Sequence, residues 1–402
     1  MKKLIKLYIL SIILFVGIDY FFEANAFVML LFTPFRELIW LPLPLAFAFA
    51  IIADYTDKTQ RIGRVLIGLV LIILTGTMSM YYHFHAMTLL MVVLVVVAGI
   101  LQLYKMVKLQ YTLSMYIILL VYFSYYWYGF ANLANWPSQH DLKVTTYNMD
   151  VSVRANNRSD VVQLLEKENP DVACFQEVKG SDKRYFRERF GQMYPYQLGP
   201  LPGANAYQSG IIISKLPFRH SANIAVADKS FRSNMRINHV VVAVDSITSV
   251  SIYNFHLISN GFTFRKQQYN NYTLRKKIDL ERKNYVRRVH EARRIAAIAK
   301  RDSLPVILVG DFNDVANSNV LAEFTPEFKL ALKQAGPAHW ATYGKSMVNT
   351  MWDVVGIDMD SQFNFIGIDH MMLNNRLRCE AIYTVDYGFS DHSPVVALVR
   401  LK

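Results

Sequence analysis

Cysteine is almost missing from this chain: Cys174 and Cys379 are the only two among 402 residues, and they lie far apart. Neither belongs to a Cys-x-x-Cys or Cys/His cluster, which excludes a zinc ribbon or a thiol redox motif. Two isolated cysteines within strand-like stretches read as buried free thiols rather than as a disulfide. Internal repeats and low-complexity tracts are also missing, which excludes a solenoid. Acidic residues are in deficit: 31 Asp and Glu stand against 43 Lys and Arg, a net charge of +12 at pH 7. That balance suits anionic partners such as phosphate esters, nucleic acid or acidic head groups. Part of the surplus sits in short loops between apolar runs, so it does not single out nucleic acid.

Long apolar runs are what the first third has in excess, and the mean hydropathy of the chain is +0.18. Runs near Leu7–Tyr20, Leu38–Ala53, Val65–Met80, Met87–Leu103 and Leu113–Phe130 mostly approach the roughly 20 residues that a helix needs to cross a bilayer. They predict a transmembrane helical anchor of about five spans over residues 1–131, a linker at 132–141 (NLANWPSQHD) and a globular domain over 142–402. MKKLIK before an apolar run also fits a signal peptide, but further spans follow and no small-residue cleavage site is evident. Lys2, Lys3 and Lys6, then Lys58, Arg61 and Arg64, then Lys105 and Lys108, alternate with loops holding Arg36 alone or no Lys or Arg. This alternation predicts a multi-pass integral membrane protein with its N-terminus inside and its C-terminal domain on the non-cytoplasmic side. One span lost or merged would invert that side. No pattern of charge within the spans points to a transport path, so they read as an anchor in a lipid bilayer. His83 and His85 read as interfacial rather than as a metal pair.

The remainder alternates strands and helices. KVTTYNM (143–149), DVACFQEV (171–178), SGIIISKLP (209–217), HVVVAVD (239–245), SVSIYNFHL (249–257), PVILVGDFN (305–313), HMML (370–373), RCEAIYTV (378–385) and PVVALVRL (394–401) read as strands. Residues 159–170 read as a helix capped by Ser159, and 281–300 as a long basic helix with Val289, Ala292, Ala296 and Ala299 on one side. The pattern predicts an α/β fold, a two-sheet β-sandwich flanked by helices.

Several of these strands stop in the same chemistry. One ends at Asn148, another in Gln176-Glu177, another in Asn254-Phe-His256, and VILVGDFND ends in Asp311 and Asn313. Asp369-His370 and Ser390-Asp391-His392-Ser393-Pro394 follow near the C-terminus. Taken singly, a carboxylate after a strand is usually solvated; the ordered set predicts one convergent site.

Asn148, FQEV around Glu177, NFHL around His256, GDFN at 310–313, IDH around Asp369 and SDHSPV at 390–395 resemble the ordered signature of the endonuclease/exonuclease/phosphatase superfamily. The resemblance covers about residues 141–402, and GDFN and SDH are its most specific parts. It implies a metal-dependent phosphoesterase on a β-sandwich. Phosphate ester hydrolysis needs charge stabilisation on nonbridging oxygens and an aligned water. Glu177, Asn148 and Asp391 are then the expected oxygen ligands of Mg²⁺, with Mn²⁺ as a substitute. Asp311 is expected to orient and deprotonate water, and Asn313 to donate to a phosphoryl oxygen from the same strand face. His392 is expected to bind the phosphate or protonate the leaving group with Asp369 fixing its tautomer, and His256 to face the phosphate as well. His370 reads as packing or loop-facing, Asp314 as a turn or cap residue, Tyr147 and Gln176 as supports, and Lys179 as a candidate basic helper.

The family pattern often places an Arg before the IDH aspartate; FNFIGI lacks it. The basic stretch 265–301 reads either as a solvated helix face or as a grip on nucleic acid or head groups. Phe262, Phe264, Tyr269 and Tyr272 just before it could line a substrate or membrane loop, or pack its base. The expected substrate is a phosphate ester, whether nucleic acid, phospholipid such as sphingomyelin, or a soluble phosphate, with no obligate protein partner. A reading of another class is a noncatalytic membrane protein that binds a phosphorylated ligand; pure binding would not require Asp311.

Overall fold

The computed structural model describes residues 139–149, 157–201, 210–226, 235–259, 274–316, 318–325, 327–335, 342–343, 364, 367–385 and 390–402. Among them no helix is long and apolar enough to cross a membrane. The expected spans, most of the linker, His83, His85 and the aromatic residues at 262–272 lie outside the described residues.

The elements in chain order are β1 (Leu142–Asn148), α1 (Asn157–Lys167), β2 (Val172–Gln176), α2 (Asp182–Phe190), β3 (Tyr196–Leu198), β4 (Gly210–Ser214), β5 (Phe218–Ala225), β6 (Arg236–Ala243) and β7 (Ser249–His256). There follow α3 (Leu274–Ala299), β8 (Val306–Asp311), α4 (Asn319–Ala322), β9 (Phe328–Leu330), α5 (Ala331–Ala335), β10 (Asp369–Asn374), β11 (Leu377–Thr384) and β12 (Val395–Leu401). They build two mixed, six-stranded sheets, β11-β12-β1-β2-β4-β3 and β5-β6-β7-β8-β10-β9. The expected two-sheet sandwich with outer helices is what the described residues form.

Strand periodicity explains the layers. In β1 and β2, Tyr147, Ala173 and Phe175 point to one face, where Val161, Leu164 and Leu165 of α1 and Phe186 and Phe190 of α2 cover them. The alternate residues point to the second sheet and form the buried middle of the sandwich, among them Val144, Val172 and Cys174, with Ile252, Ile307 and Val309 opposite. Cys174 and Cys379 are both buried and free, as their isolation predicts. Ser159 lies inside α1 and does not cap it, because the helix already begins at Asn157. In α3, Ala292, Ile295 and Ala299 are buried, whereas Val289 and Ala296 are only half-buried.

The pairing directions position the site. β1 runs parallel to β2, with Asn148 opposite Gln176. β7 runs parallel to β8, with His256 opposite Asp311. Each sheet therefore brings two carboxyl-terminal strand ends together. The antiparallel strands β10 and β12 begin at those same ends: Asp369 is opposite Asp311, and Val395 is opposite Thr146. Loops leaving and entering the six strands thus meet at one edge, the usual place for a site in such sheets.

A run of amides clips the two sheets together behind that edge. Gln176 Nε2 donates to Thr146 Oγ1 at 2.9 Å and to Asn254 Oδ1 at 2.6 Å. Asn254 Nδ2 donates to the Phe175 carbonyl at 3.1 Å, and Asn238 Nδ2 to Asn223 Oδ1 at 2.6 Å. Such groups are tolerated in a core because nearly all of them find partners; Gln176 Oε1 is buried without one among the described residues.

Candidate active site

Asp311 is the centre of the arrangement and is 1% exposed. Its Oδ1 accepts the Asn313 backbone N–H at 2.7 Å. Its Oδ2 accepts Asn148 Nδ2 at 2.9 Å. The same oxygen lies 3.3 Å from His256 Nε2 and 3.9 Å from His392 Nε2. Four segments, β1, β7, β8 and the loop entering β12, therefore meet at one carboxylate oxygen. Burial, and then the neighbouring Asp369, push the Asp311 carboxyl up to about 7, while His392, the Asn148 amide and the Asn313 N–H pull it back.

His392 Nδ1 is 2.8 Å from Asp369 Oδ2. A carboxylate accepts only, so Nδ1 carries a proton and Nε2 turns toward Asp311. Burial opposes the imidazolium, but Asp369, Asp311 and Asp391 outweigh it and raise the His392 pKa well above its ordinary value. Asp391 Oδ1 is 4.0 Å from His392 Nε2. Asp369 is held in turn by Thr342, whose Oγ1 accepts the Ile368 and Asp369 backbone N–H groups at 3.1 Å.

The Ser-Asp-His loop is tied to β1. Ser390 Oγ donates to the Asn148 carbonyl at 2.9 Å and accepts the His392 N–H at 3.1 Å. Buried Asp160 in the first turn of α1 accepts both Tyr147 OH, at 2.9 Å, and the Ser390 N–H, at 3.3 Å. Tyr343 pairs with His392 in a short bridge, its ring 4.9 Å from the imidazole.

Asn148, His256, Asp311, Asp369, Asp391 and His392 are thus gathered together. Glu177 follows immediately on the Asn148–Gln176 pair and is half-buried, with φ 55°. Asn313 departs from its expected placement. β8 ends at Asp311, Asn313 turns left-handed at φ 51°, and its amide donates to the Leu257 carbonyl at 2.9 Å. The strand-face argument fails there because the strand does not continue. Left-handed backbone at a Glu and an Asn is uncommon and collects where function constrains the chain. Buried His370 bonds the Asp314 carbonyl at 2.9 Å and packs edge-on against Phe312, away from Asp311.

The donor set fits a hard divalent cation. Asp369 Oδ1 is buried without a hydrogen-bond partner among the described residues, and the raised Asp311 carboxyl marks a place short of positive charge. Ligand atoms of Asp311, Asp369 and His392 lie within 4.8 Å of one another. His392 and Asp369 are already bonded to each other, so they read better as a proton-holding pair than as two ligands. Asn148, Glu177 and Asp391 supply the oxygen chemistry that a dication prefers.

The model of the endonuclease/exonuclease/phosphatase family matches residues 145–392, more than half of the chain. The chain belongs to this family. Endonuclease/exonuclease/phosphatase proteins are phosphoesterase hydrolases and are generally dependent on divalent metal. Solved structures similar to this chain include D. rerio TDP2 humanised by 14 mutations, 17% identical with a TM-score of 0.46, covering 64% of this chain and 98% of its own. D. rerio TDP2 complexed with single strand DNA product is 16% identical with a TM-score of 0.47, covering 64% and 98%. A functionally unknown conserved protein from Enterococcus faecalis V583 is 15% identical with a TM-score of 0.48, covering 65% and 100%. No curated protein matches the chain.

Asp160, Thr342 and Tyr343 are supports of the family site that sequence reasoning missed. Asp160 sits in a helical first turn, where an acidic residue ordinarily serves the helix dipole. Thr342 and Tyr343 fall in a stretch without strand or helix periodicity, which carries no signal of its own.

Proposed function

We propose that this family member is a Mg²⁺-dependent phosphodiesterase, nuclease-like in its action, fastened to a bilayer by its N-terminal region with its catalytic domain on the non-cytoplasmic side. The observation that carries the chemistry is the meeting of Asn148, His256 and His392 at Asp311 Oδ2. A buried carboxyl raised toward neutrality is a competent general base. Asp311 takes the proton of a water that attacks phosphorus. His256 and His392 present Nε2 to the nonbridging oxygens of the ester. As the bond to the leaving oxygen breaks, the His392 imidazolium, stabilised by Asp369, supplies its proton. Mg²⁺ held by Asn148, Glu177 and Asp391, or Mn²⁺ in its place, would neutralise charge on the phosphoryl group. Asn313 contributes through its backbone N–H, which fixes Asp311 Oδ1.

The test uses the purified full chain in detergent with bis(p-nitrophenyl) phosphate, single-stranded DNA and sphingomyelin, each with Mg²⁺ and with a chelator. Metal-dependent turnover is expected, with DNA preferred to sphingomyelin. Asp311→Asn is expected to lower kcat by about 10²- to 10⁴-fold, the range of a lost general base. Unchanged turnover in that variant removes the assignment of Asp311. No turnover on any ester by the unmutated chain replaces the enzyme with a phosphate-binding membrane protein.

A further inference from the structure

The basic helix α3 carries an unusual inner face. Its lower half buries apolar side chains, but Glu281, Arg288 and Glu291 are 3%, 2% and 3% exposed. Positions 281, 288 and 291 fall on one helical stripe, so these charges point inward together. Buried charge is costly and is retained only where it is paired. Some of the partners lie within α3 itself, and the others in the two segments that follow the catalytic strand ends.

Arg288 Nη2 donates to Glu281 Oε1 at 2.8 Å, and Nη1 donates to the Ile258 carbonyl at 3.3 Å. Its Nε is 3.4 Å from Asp314 Oδ2, an ion pair rather than a hydrogen bond, since this buried Nε has no hydrogen-bond partner among the described residues. Glu291 Oε2 accepts the Ile258 N–H at 3.3 Å and its Oε1 accepts Arg287 Nε at 2.9 Å. Asn284 Nδ2 donates to the Ser259 carbonyl at 3.0 Å. Ile258 and Ser259 follow closely on His256, and Asp314 follows on Asn313. The two tails are also stitched to each other, by Leu257 N to the Asp311 carbonyl at 2.9 Å and by the Asn313 amide to the Leu257 carbonyl.

We infer that Arg288 is a positioning residue of the phosphoesterase centre: its buried guanidinium ties α3 at once to the tail of β7 behind His256 and to the tail of β8 behind Asp311 and Asn313. This rests on the phosphodiesterase reading above. Beyond the strand ends the ladder continues for only one residue in each tail, by Leu257 N to the Asp311 carbonyl and by Phe312 N to the Ile368 carbonyl, both at 2.9 Å. Past Leu257 and Phe312 the course of the tails, and with it the separation of His256 Nε2 from Asp311 Oδ2, depends on side chains: His370 at the Asp314 carbonyl, and α3 at Ile258, Ser259 and the Asp314 carboxylate. A guanidinium suits the task because its planar fork reaches a carbonyl and two carboxylates in different directions. Lys keeps the charge but offers a single nitrogen, and Met keeps the bulk alone.

The test is Arg288→Met and Arg288→Lys in the full chain, with two readouts. The first is kcat and KM on bis(p-nitrophenyl) phosphate with Mg²⁺. The second is amide hydrogen exchange by mass spectrometry, which reads local opening without reference to activity. Arg288→Met is expected to lower kcat at least tenfold with KM changed less than twofold. Exchange is expected to accelerate in peptides covering 257–259 and 312–315 while β1 and β12 stay protected. Arg288→Lys is expected to fall between, which also serves if the Met variant does not fold. Unchanged exchange in those peptides overturns the inference. So does faster exchange throughout the domain with kcat per folded molecule preserved, the mark of a purely structural ion pair. An inactive parent chain sinks the phosphodiesterase reading and the effect of Arg288 on kcat with it, whereas the exchange pattern separately decides whether Arg288 grips both tails.

Discussion

His370 and His392 are both buried, yet their surroundings drive them in opposite directions. His392 is surrounded by carboxylates and its pKa rises. His370 touches a carbonyl and a phenyl ring, and burial lowers its pKa from 6.5 to about 4. A base held neutral in the folded chain binds no proton between those values, while the unfolded chain does. Folding is then opposed by acid: the contribution of His370 is complete above pH 6.5 and is lost as pH falls toward 4. The loss amounts to about 3 kcal/mol, because each tenfold change in proton affinity between the folded and unfolded chain is worth about 1.4 kcal/mol. His392 is protonated in both states over most of that window and contributes little slope there. Asp311, raised by burial, contributes the opposite slope over much of it, so the total curve is not diagnostic. The difference between wild type and His370→Gln is. The unfolding temperature of the variant should fall less than that of wild type between pH 7 and 4.5. Parallel curves would show that His370 titrates normally.

At the scale of elements, Gly310 decides how closely β7 and β8 approach. It pairs with Phe255 and has φ 144°, and a Cβ there would run into the Phe255 carbonyl oxygen. Backbone opposes backbone, so no side-chain rotation relieves the clash. Gly310→Ala should destabilise the domain by about 2–4 kcal/mol, the cost of a non-glycine residue in a strained, close-packed position. It should also part His256 from Asp311 and lower kcat even at temperatures where the variant stays folded. Full activity with full stability would show that the strands can separate without consequence. The glycine was visible in the sequence as part of GDFN, but its steric reason was not, because that reason lies in a strand some fifty residues away. The same limit governs the rest. β4, β8 and β12 are continuous apolar runs and announce themselves. β5 (FRHSANIA) is a mostly uncovered edge strand with no alternation to read. α2 (DKRYFRERF) is charged almost all round and shows its buried face only through Phe186 and Phe190. The site residues were legible where they end a strand in a family motif. Asn313 was legible as a residue but not in its direction, and Arg288 was hidden within a helix whose composition suggested solvent.

The whole molecule adds a question of sides. β1 carries Asn148 at one end and Leu142 at the other, about 20 Å apart for seven extended residues. β12 runs antiparallel to β1 with Val399 opposite Leu142. Leu401 N donates to Asp141 Oδ2 at 2.8 Å, and Asp141 N donates to the Val399 carbonyl at 3.0 Å. Both the entry to the domain and its C-terminus are therefore remote from the site. A protein fused after Lys402 would sit at that far end and leave the site edge unobstructed, so one fusion can report topology while the hydrolase activity reports folding. In the proposed topology about five spans precede residue 132 and the domain lies outside. β-Lactamase fused after Lys402 should then protect a bacterial host against ampicillin, and a green fluorescent protein fused there should stay dark. The reverse pair of results, with phosphodiesterase activity intact, would mean an even number of crossings. The folded enzyme would then act on phosphate esters within the cytoplasm.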